Sequence, residues 1–237
     1  MDYPIRIKIC GITTPEDAAA AAGYGADMVG LNFYPRSPRC IDTRRASEVL
    51  EALPASVEAV SVFAAESAER MLARLADLPR IQTIQVHGGW PRPIELHPRA
   101  LFVAAHIADE RDLDELSRFL DECQSLKQRP AAVLVDARVT GTFGGTGQTA
   151  PWQLLSNFRP GVPLILAGGL TADNVAEAVR VVRPYAVDVA SGVERSPGRK
   201  DHERMQRFIE NARIAAAGLA NGDSPGRPEP GGAGGRL

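Results

Sequence analysis

Eight short runs of apolar and β-branched residues punctuate the chain, and a helix-patterned segment follows each of them. The runs lie at 5–10, 27–33, 57–63, 81–86, 101–107, 131–136, 163–167 and 186–190. The helical segments lie near 15–23, 42–52, 67–77, 92–99, 110–127, 151–157, 171–182 and 201–216. Runs such as Ala132-Val133-Leu134-Val135 show no polar alternation, so both faces of such a strand must be covered. Parallel strands joined by crossover helices satisfy that demand. Eight βα units at roughly 25–30 residues each fit a closed (β/α)8 barrel, a TIM barrel of the α/β class, with an open doubly wound sheet as the alternative.

Local signals agree with this alternation. Thr14 precedes Pro15-Glu16-Asp17, a hydroxyl cap before proline at the first helical position. Thr171-Ala172-Asp173-Asn174 reads as a second capped start. No shift in composition divides residues 1–217, which form one catalytic-domain-sized barrel unit. In 218–237, seven Gly and three Pro fill half the positions, too little apolar surface to offset ordering, so a flexible, disordered tail is expected there.

Charge and cysteine usage narrow the partners. The chain has 27 Lys and Arg against 29 Asp and Glu, a formal net charge of −2, with the signs interspersed. Nucleic-acid or membrane-surface binding calls for a basic face, and none stands out, so a small molecule is the expected partner. No apolar run approaches membrane-spanning length, and no basic region leads into an apolar stretch near the N-terminus. Three scattered cysteines, Cys10, Cys40 and Cys123, suggest a reducing, cytoplasmic setting, and no His/Cys/Asp cluster has metal-ligand spacing. Monomer and homodimer are equally compatible with this pattern.

In a barrel, chemistry gathers where strands end at the C-terminal mouth. That rule selects Cys10, Arg36, Arg39, His87, Asp136, Gly168-Gly169 and Ser191-Gly192. The two glycine turns follow the seventh and eighth strands, the usual phosphate site of such barrels, though each could simply make a tight turn. Cys10 is either an inert buried thiol or a base whose pKa Lys8 or a helix N-terminus depresses. Asp136 is either a turn-former or an acid kept protonated at an apolar rim. Arg36 and Arg39, in a loop stiffened by Pro35 and Pro38, are solvated or await a carboxylate. His87 is a ligand contact or a loop histidine. Gly145-Thr146-Gly147-Gln148-Thr149-Ala150 starts too far from its strand for a dinucleotide fingerprint and reads as a mobile loop over the site.

Taken in order, Lys8-Ile9-Cys10-Gly11, Phe33-Tyr34-Pro35-Arg36-Ser37-Pro38-Arg39, Gln85-Val86-His87-Gly88, Asp136 with Gly144-Gly145-Thr146-Gly147, Ala167-Gly168-Gly169-Leu170, Asp188-Val189-Ala190-Ser191-Gly192-Val193-Glu194 and Pro197-Gly198-Arg199-Lys200-Asp201 form a recognisable string. The chain closely resembles the phosphoribosylanthranilate isomerases of tryptophan biosynthesis over residues 5–213. The resemblance implies an Amadori rearrangement of N-(5-phosphoribosyl)anthranilate with no metal or organic cofactor. It implies Asp136 as general acid, Cys10 as general base, Arg39 on the anthranilate carboxylate, and phosphate at Gly168, Gly169, Ser191 and Gly192. His87 joins the substrate-binding set. The base must start ionised, so a depressed Cys10 pKa is expected. Ala150, Asn32 and His106 depart from the usual pattern. Two rivals remain: the histidine-pathway isomerase, which resembles a barrel with aspartate in place of Cys10, and a non-catalytic binder of phosphorylated ligands.

Overall fold

The eight apolar runs pair edge to edge in sequence order. In the computed structural model, which describes residues 4–137 and 152–220, they form a closed parallel barrel. Its strands are β1 (Arg6–Cys10), β2 (Met28–Asn32), β3 (Glu58–Ala64), β4 (Thr83–His87), β5 (Ala100–His106), β6 (Ala132–Asp136), β7 (Leu164–Ala167) and β8 (Ala186–Val189). β1 closes the ring against β8, with Lys8 opposite Asp188. The open-sheet alternative is therefore set aside.

Burial on both strand faces produces two cores. Outward-facing residues such as Ile7, Ile9, Val133 and Val187 pack under the helices. Inward-facing residues, among them Met28, Val60, Phe102, Leu134 and Ile165, fill the barrel interior. Four of the inward positions on β5 to β8, Ala104, Ala132, Ala167 and Ala186, carry only a methyl group.

The helices are α1 (Pro15–Gly23), α2 (Thr43–Glu51), α3 (Ala68–Arg74), α4 (Glu110–Ser125), α5 (Trp152–Leu155), α6 (Val175–Val182) and α7 (His202–Ala220). Thr14 caps α1, its hydroxyl accepting from the Asp17 N–H at 3.2 Å. Four expectations need correction. The segment at 92–99 forms only a 3₁₀ turn, Pro93–Leu96, because Pro91, Pro93 and Pro98 remove the donors a longer helix needs. Thr171 does not cap α6: its hydroxyl closes a local turn on the Asp173 N–H, and the helix starts later, at Val175. Of the helix expected at 151–157, the described residues form only the four of α5, and Ser156 and Asn157 lie in a turn. α7 continues to Ala220, three residues past the expected barrel boundary, so residues 218–220 are helical. The rest of the 218–237 tail and the 145–150 loop lie outside the described residues.

One element was not anticipated. After β8 comes a 3₁₀ turn, Ser191–Val193, and then an antiparallel hairpin of β9 (Glu194–Ser196) and β10 (Arg199–Lys200). Thr13 ties this hairpin to the β1–α1 loop by donating to the Gly198 carbonyl at 2.6 Å. The Asp17 carboxylate accepts the Lys200 N–H at 3.2 Å. Strands of three and two residues carry no readable periodicity, so sequence pattern alone does not disclose them.

Candidate active site

A cavity of about 400 Å³ opens at the C-terminal mouth of the barrel. All the residues singled out as catalytic or substrate-binding line it: Cys10, Arg39, His87, Asp136, Gly168, Gly169, Ser191 and Gly192. Cys10, His87 and Asp136 are the last residues of β1, β4 and β6, which is why three separate strands deliver them to one space. Arg36 is not part of this lining; it is exposed and its guanidinium stacks over Tyr34 at 5.8 Å.

The two glycine turns touch each other. A Cβ on Gly192 would drive into the Leu170 carbonyl, closer than side chains approach backbone in real proteins. The loops after β7 and β8 can therefore approach this closely only while residue 192 lacks a side chain. Gly192→Ala is expected to push these loops apart and weaken inorganic phosphate binding by tenfold or more, on the order of the 1.4 kcal/mol that separates decades of affinity. Isothermal titration with phosphate checks this, and an unchanged dissociation constant would remove the turns from the anion site.

Beneath Cys10 lies a charged layer that sequence reading did not assign. Lys8 is fully buried, and its Nζ donates to Asp188 Oδ1 at 2.9 Å. Gly30 leaves room for both side chains, since a Cβ there would sit 2.7 Å from Cys10 Sγ and 3.1 Å from Lys8 Nζ. The expected depression of the Cys10 pKa is not found. Burial pushes the thiol up, and the Lys8 ammonium, opposed by Asp188 and aided by Lys200, recovers only part of that shift. Burial also disfavours charge on Lys8, and the bonded Asp188 carboxylate is the strongest force holding the amine protonated against it.

On β4, Gln85 places its amide Nε2 2.7 Å from His87 Nε2. Burial lowers the His87 pKa, and Lys8 adds to that effect, so the imidazole is neutral near pH 7. Gln85 Oε1 has no partner among the described residues although the side chain is buried. Asn32, one of the departures from the usual pattern, also lines the cavity and accepts the Tyr34 N–H at 2.8 Å, which shapes the arginine loop. His106 is exposed and is the cross-strand partner of Asp136.

Arg39 is held rather than free. Its Nε and Nη2 donate to Glu194 Oε1 and Oε2 at 2.7 and 2.6 Å. Lys200 Nζ then joins Glu194 Oε1 at 3.2 Å to the Cys10 carbonyl at 2.7 Å and the Ala190 carbonyl at 3.0 Å. These links were not legible in sequence, because Arg39 and Glu194 lie 155 positions apart. Among the described residues, no group of three or more His, Cys, Asp or Glu could hold a metal ion, and no helix is long and apolar enough to cross a membrane.

Comparison with known proteins places this arrangement. The family model described as N-(5'-phosphoribosyl)anthranilate (PRA) isomerase matches residues 7–211. An N-(5'-phosphoribosyl)anthranilate isomerase of Acidithiobacillus ferrooxidans is 44% identical over 210 residues, covering 88% of this chain and 98% of the relative. That of Neisseria gonorrhoeae is 43% identical over 209 residues, 88% of this chain and 96% of the relative. The crystal structure of phosphoribosyl anthranilate isomerase from Thermotoga maritima superposes with a TM-score of 0.77 at 37% identity, over 89% of this chain and all (100%) of that one. A further solved isomerase, in complex with reduced 1-(o-carboxyphenylamino)-1-deoxyribulose 5-phosphate, gives a TM-score of 0.74 at 36% identity, with 89% and 100% coverage. With a closed barrel, a thiol and a carboxylate at one mouth, and a family model spanning nearly all of the barrel, the chain belongs to the N-(5'-phosphoribosyl)anthranilate isomerase family.

Proposed function

We propose that this chain catalyses the Amadori rearrangement of N-(5-phosphoribosyl)anthranilate to 1-(2-carboxyphenylamino)-1-deoxy-D-ribulose 5-phosphate in tryptophan biosynthesis. The observation that carries the residue roles is that Cys10 and Asp136 line one cavity together with the glycine turns and Arg39. The substrate has a phosphate at one end and a carboxylate at the other. Two anion sites in the same cavity would orient it toward the acid and the base, and such positioning contributes several kcal/mol to lowering the barrier.

Asp136 donates its proton to the furanose ring oxygen while the anthranilate nitrogen lone pair forms a C1′=N double bond, and the ring opens. Cys10 thiolate removes the C2′ proton, and the electrons move through C1′ to the nitrogen to give an enolamine. Reprotonation at C1′ and loss of the C2′ hydroxyl proton give the ketone. The product is an isomer, so proton transfers alone balance the reaction and no cofactor is required by the chemistry. The three free thiols agree with a cytoplasmic setting. The dimeric isomerase of Thermotoga maritima has also been solved as monomers generated from it, so a homodimer and a monomer are both compatible with this fold.

Product formation by the purified chain tests this reading. Asp136→Asn is expected to lower kcat by about 10²–10⁴-fold, the range one positioned proton donor supplies. Failure of the wild-type chain to convert this substrate, while it turns over the histidine-pathway substrate, would overturn the assignment. Full activity in Asp136→Asn would remove the acid role alone.

A further inference from the structure

The motif Pro197-Gly198-Arg199-Lys200-Asp201 and the neighbouring Glu194 have no part in the reaction as written, yet they hold the most densely bonded charges at the mouth. We propose that Glu194 and Lys200 are positioning residues that preset Arg39 for the carboxylate of the substrate and fix its place relative to Cys10. This inference rests on the isomerase reading and adds two residues to it.

The argument begins with the guanidinium. Its five N–H groups lie in one plane and serve two bidentate edges. Glu194 takes the edge formed by Nε and Nη2. The end-on edge, Nη1 and the second Nη2 hydrogen, makes no hydrogen bond among the described residues, and Arg39 lines the cavity. That edge matches a planar carboxylate.

Glu194 is itself anchored. Its side chain is only 5% exposed, and Oε1 also accepts from the Gly198 N–H at 3.3 Å. Burial would raise its pKa, but the bonds from Arg39 and the charge of Lys200 outweigh burial and keep it ionised. The β9–β10 pairing sets Glu194 directly across from Lys200. Lys200 in turn bonds the Cys10 carbonyl, so one ammonium links the arginine clamp to the backbone of the base. On the other side, the Arg39 stem lies against Gly11, where a Cβ would collide with it. A flexible arginine is thereby held in one orientation before substrate arrives, which removes an ordering cost from binding.

The test uses two ligands that share a phosphate and differ in the carboxylate. Reduced 1-(o-carboxyphenylamino)-1-deoxyribulose 5-phosphate carries it, and ribulose 5-phosphate does not. Wild-type turnover is measured first, so that failure of the isomerase reading is seen separately. Glu194→Gln is expected to weaken the carboxylate ligand about tenfold or more, as loss of a charge-assisted bond implies, with ribulose 5-phosphate within about twofold. KM should rise while kcat falls by less than about threefold. Glu194→Asp keeps the charge that Lys200 needs for folding but withdraws the carboxylate by one methylene, and should show a smaller loss confined to the same ligand. Equal weakening of both ligands, or no change in either, in Glu194→Asp would overturn the proposal.

Discussion

Replacing Cys10 with alanine should lower kcat/KM by about 10²–10⁴-fold, the share one positioned general base contributes. The thiol lies at the end of β1, 8% exposed, with the Lys8 ammonium below it and the Lys200 ammonium bonded to its own carbonyl. Burial raises the thiol pKa, so in the free enzyme the thiol is mostly protonated at neutral pH. The base must be thiolate. kcat/KM therefore climbs as pH rises and levels off only above the ordinary thiol range, because that ratio reports the ionisation of free enzyme. Cys10→Asp provides the control. A carboxylate ionises at far lower pH, so the rising limb should move to the acid side even where the maximal rate is reduced. A Cys10→Ala enzyme with wild-type kcat/KM, or a wild-type profile flat through the thiol range, would sink the base assignment.

The difference between the expected and observed thiol shows what a sequence can carry. Strands were legible because burial on both faces leaves continuous apolar runs, and the barrel rule then placed Cys10, His87 and Asp136 at one mouth. The sign of a pKa shift depends on competing magnitudes, which spacing does not encode. Lys8 precedes Cys10 by two residues and was visible, but its carboxylate partner, Asp188, lies 180 positions away and holds the charge that opposes thiolate formation. Arg39 was likewise visible as a candidate anion binder, while Glu194, which occupies half of its fork, belongs to a hairpin too short to leave a pattern. The error at α6 has the same origin: Asn174 Oδ1 accepts the Thr171 N–H and the Thr171 hydroxyl accepts the Asp173 N–H, so a cap-like string forms a turn ahead of the helix. What is local and repeated is readable; what depends on partners far apart in sequence is not.

Removing Asp188 should cost more stability than any other single change considered. Lys8 is completely enclosed by the barrel, and Asp188 Oδ1, 2.9 Å away, is its ion-pair partner. Asp188→Ala leaves a buried ammonium uncompensated, a loss of about 3–5 kcal/mol. For a domain of this size that corresponds to a melting temperature lowered by roughly 6–20 °C, readable by calorimetry. The pair is nevertheless weak evidence for stability as such, because well-packed apolar residues often replace a buried ion pair without loss. The double variant Lys8→Met with Asp188→Leu should therefore recover most of the melting temperature. It should not recover activity, since the Cys10 thiol would keep its burial and lose the ammonium that opposes it. Recovery of stability with the rising limb of kcat/KM displaced to still higher pH would assign the pair to the ionisation of Cys10. Asp188→Ala melting like wild type would mean that Lys8 is not charged in the folded barrel, and recovery of full activity in the double variant would free Cys10 from any dependence on it.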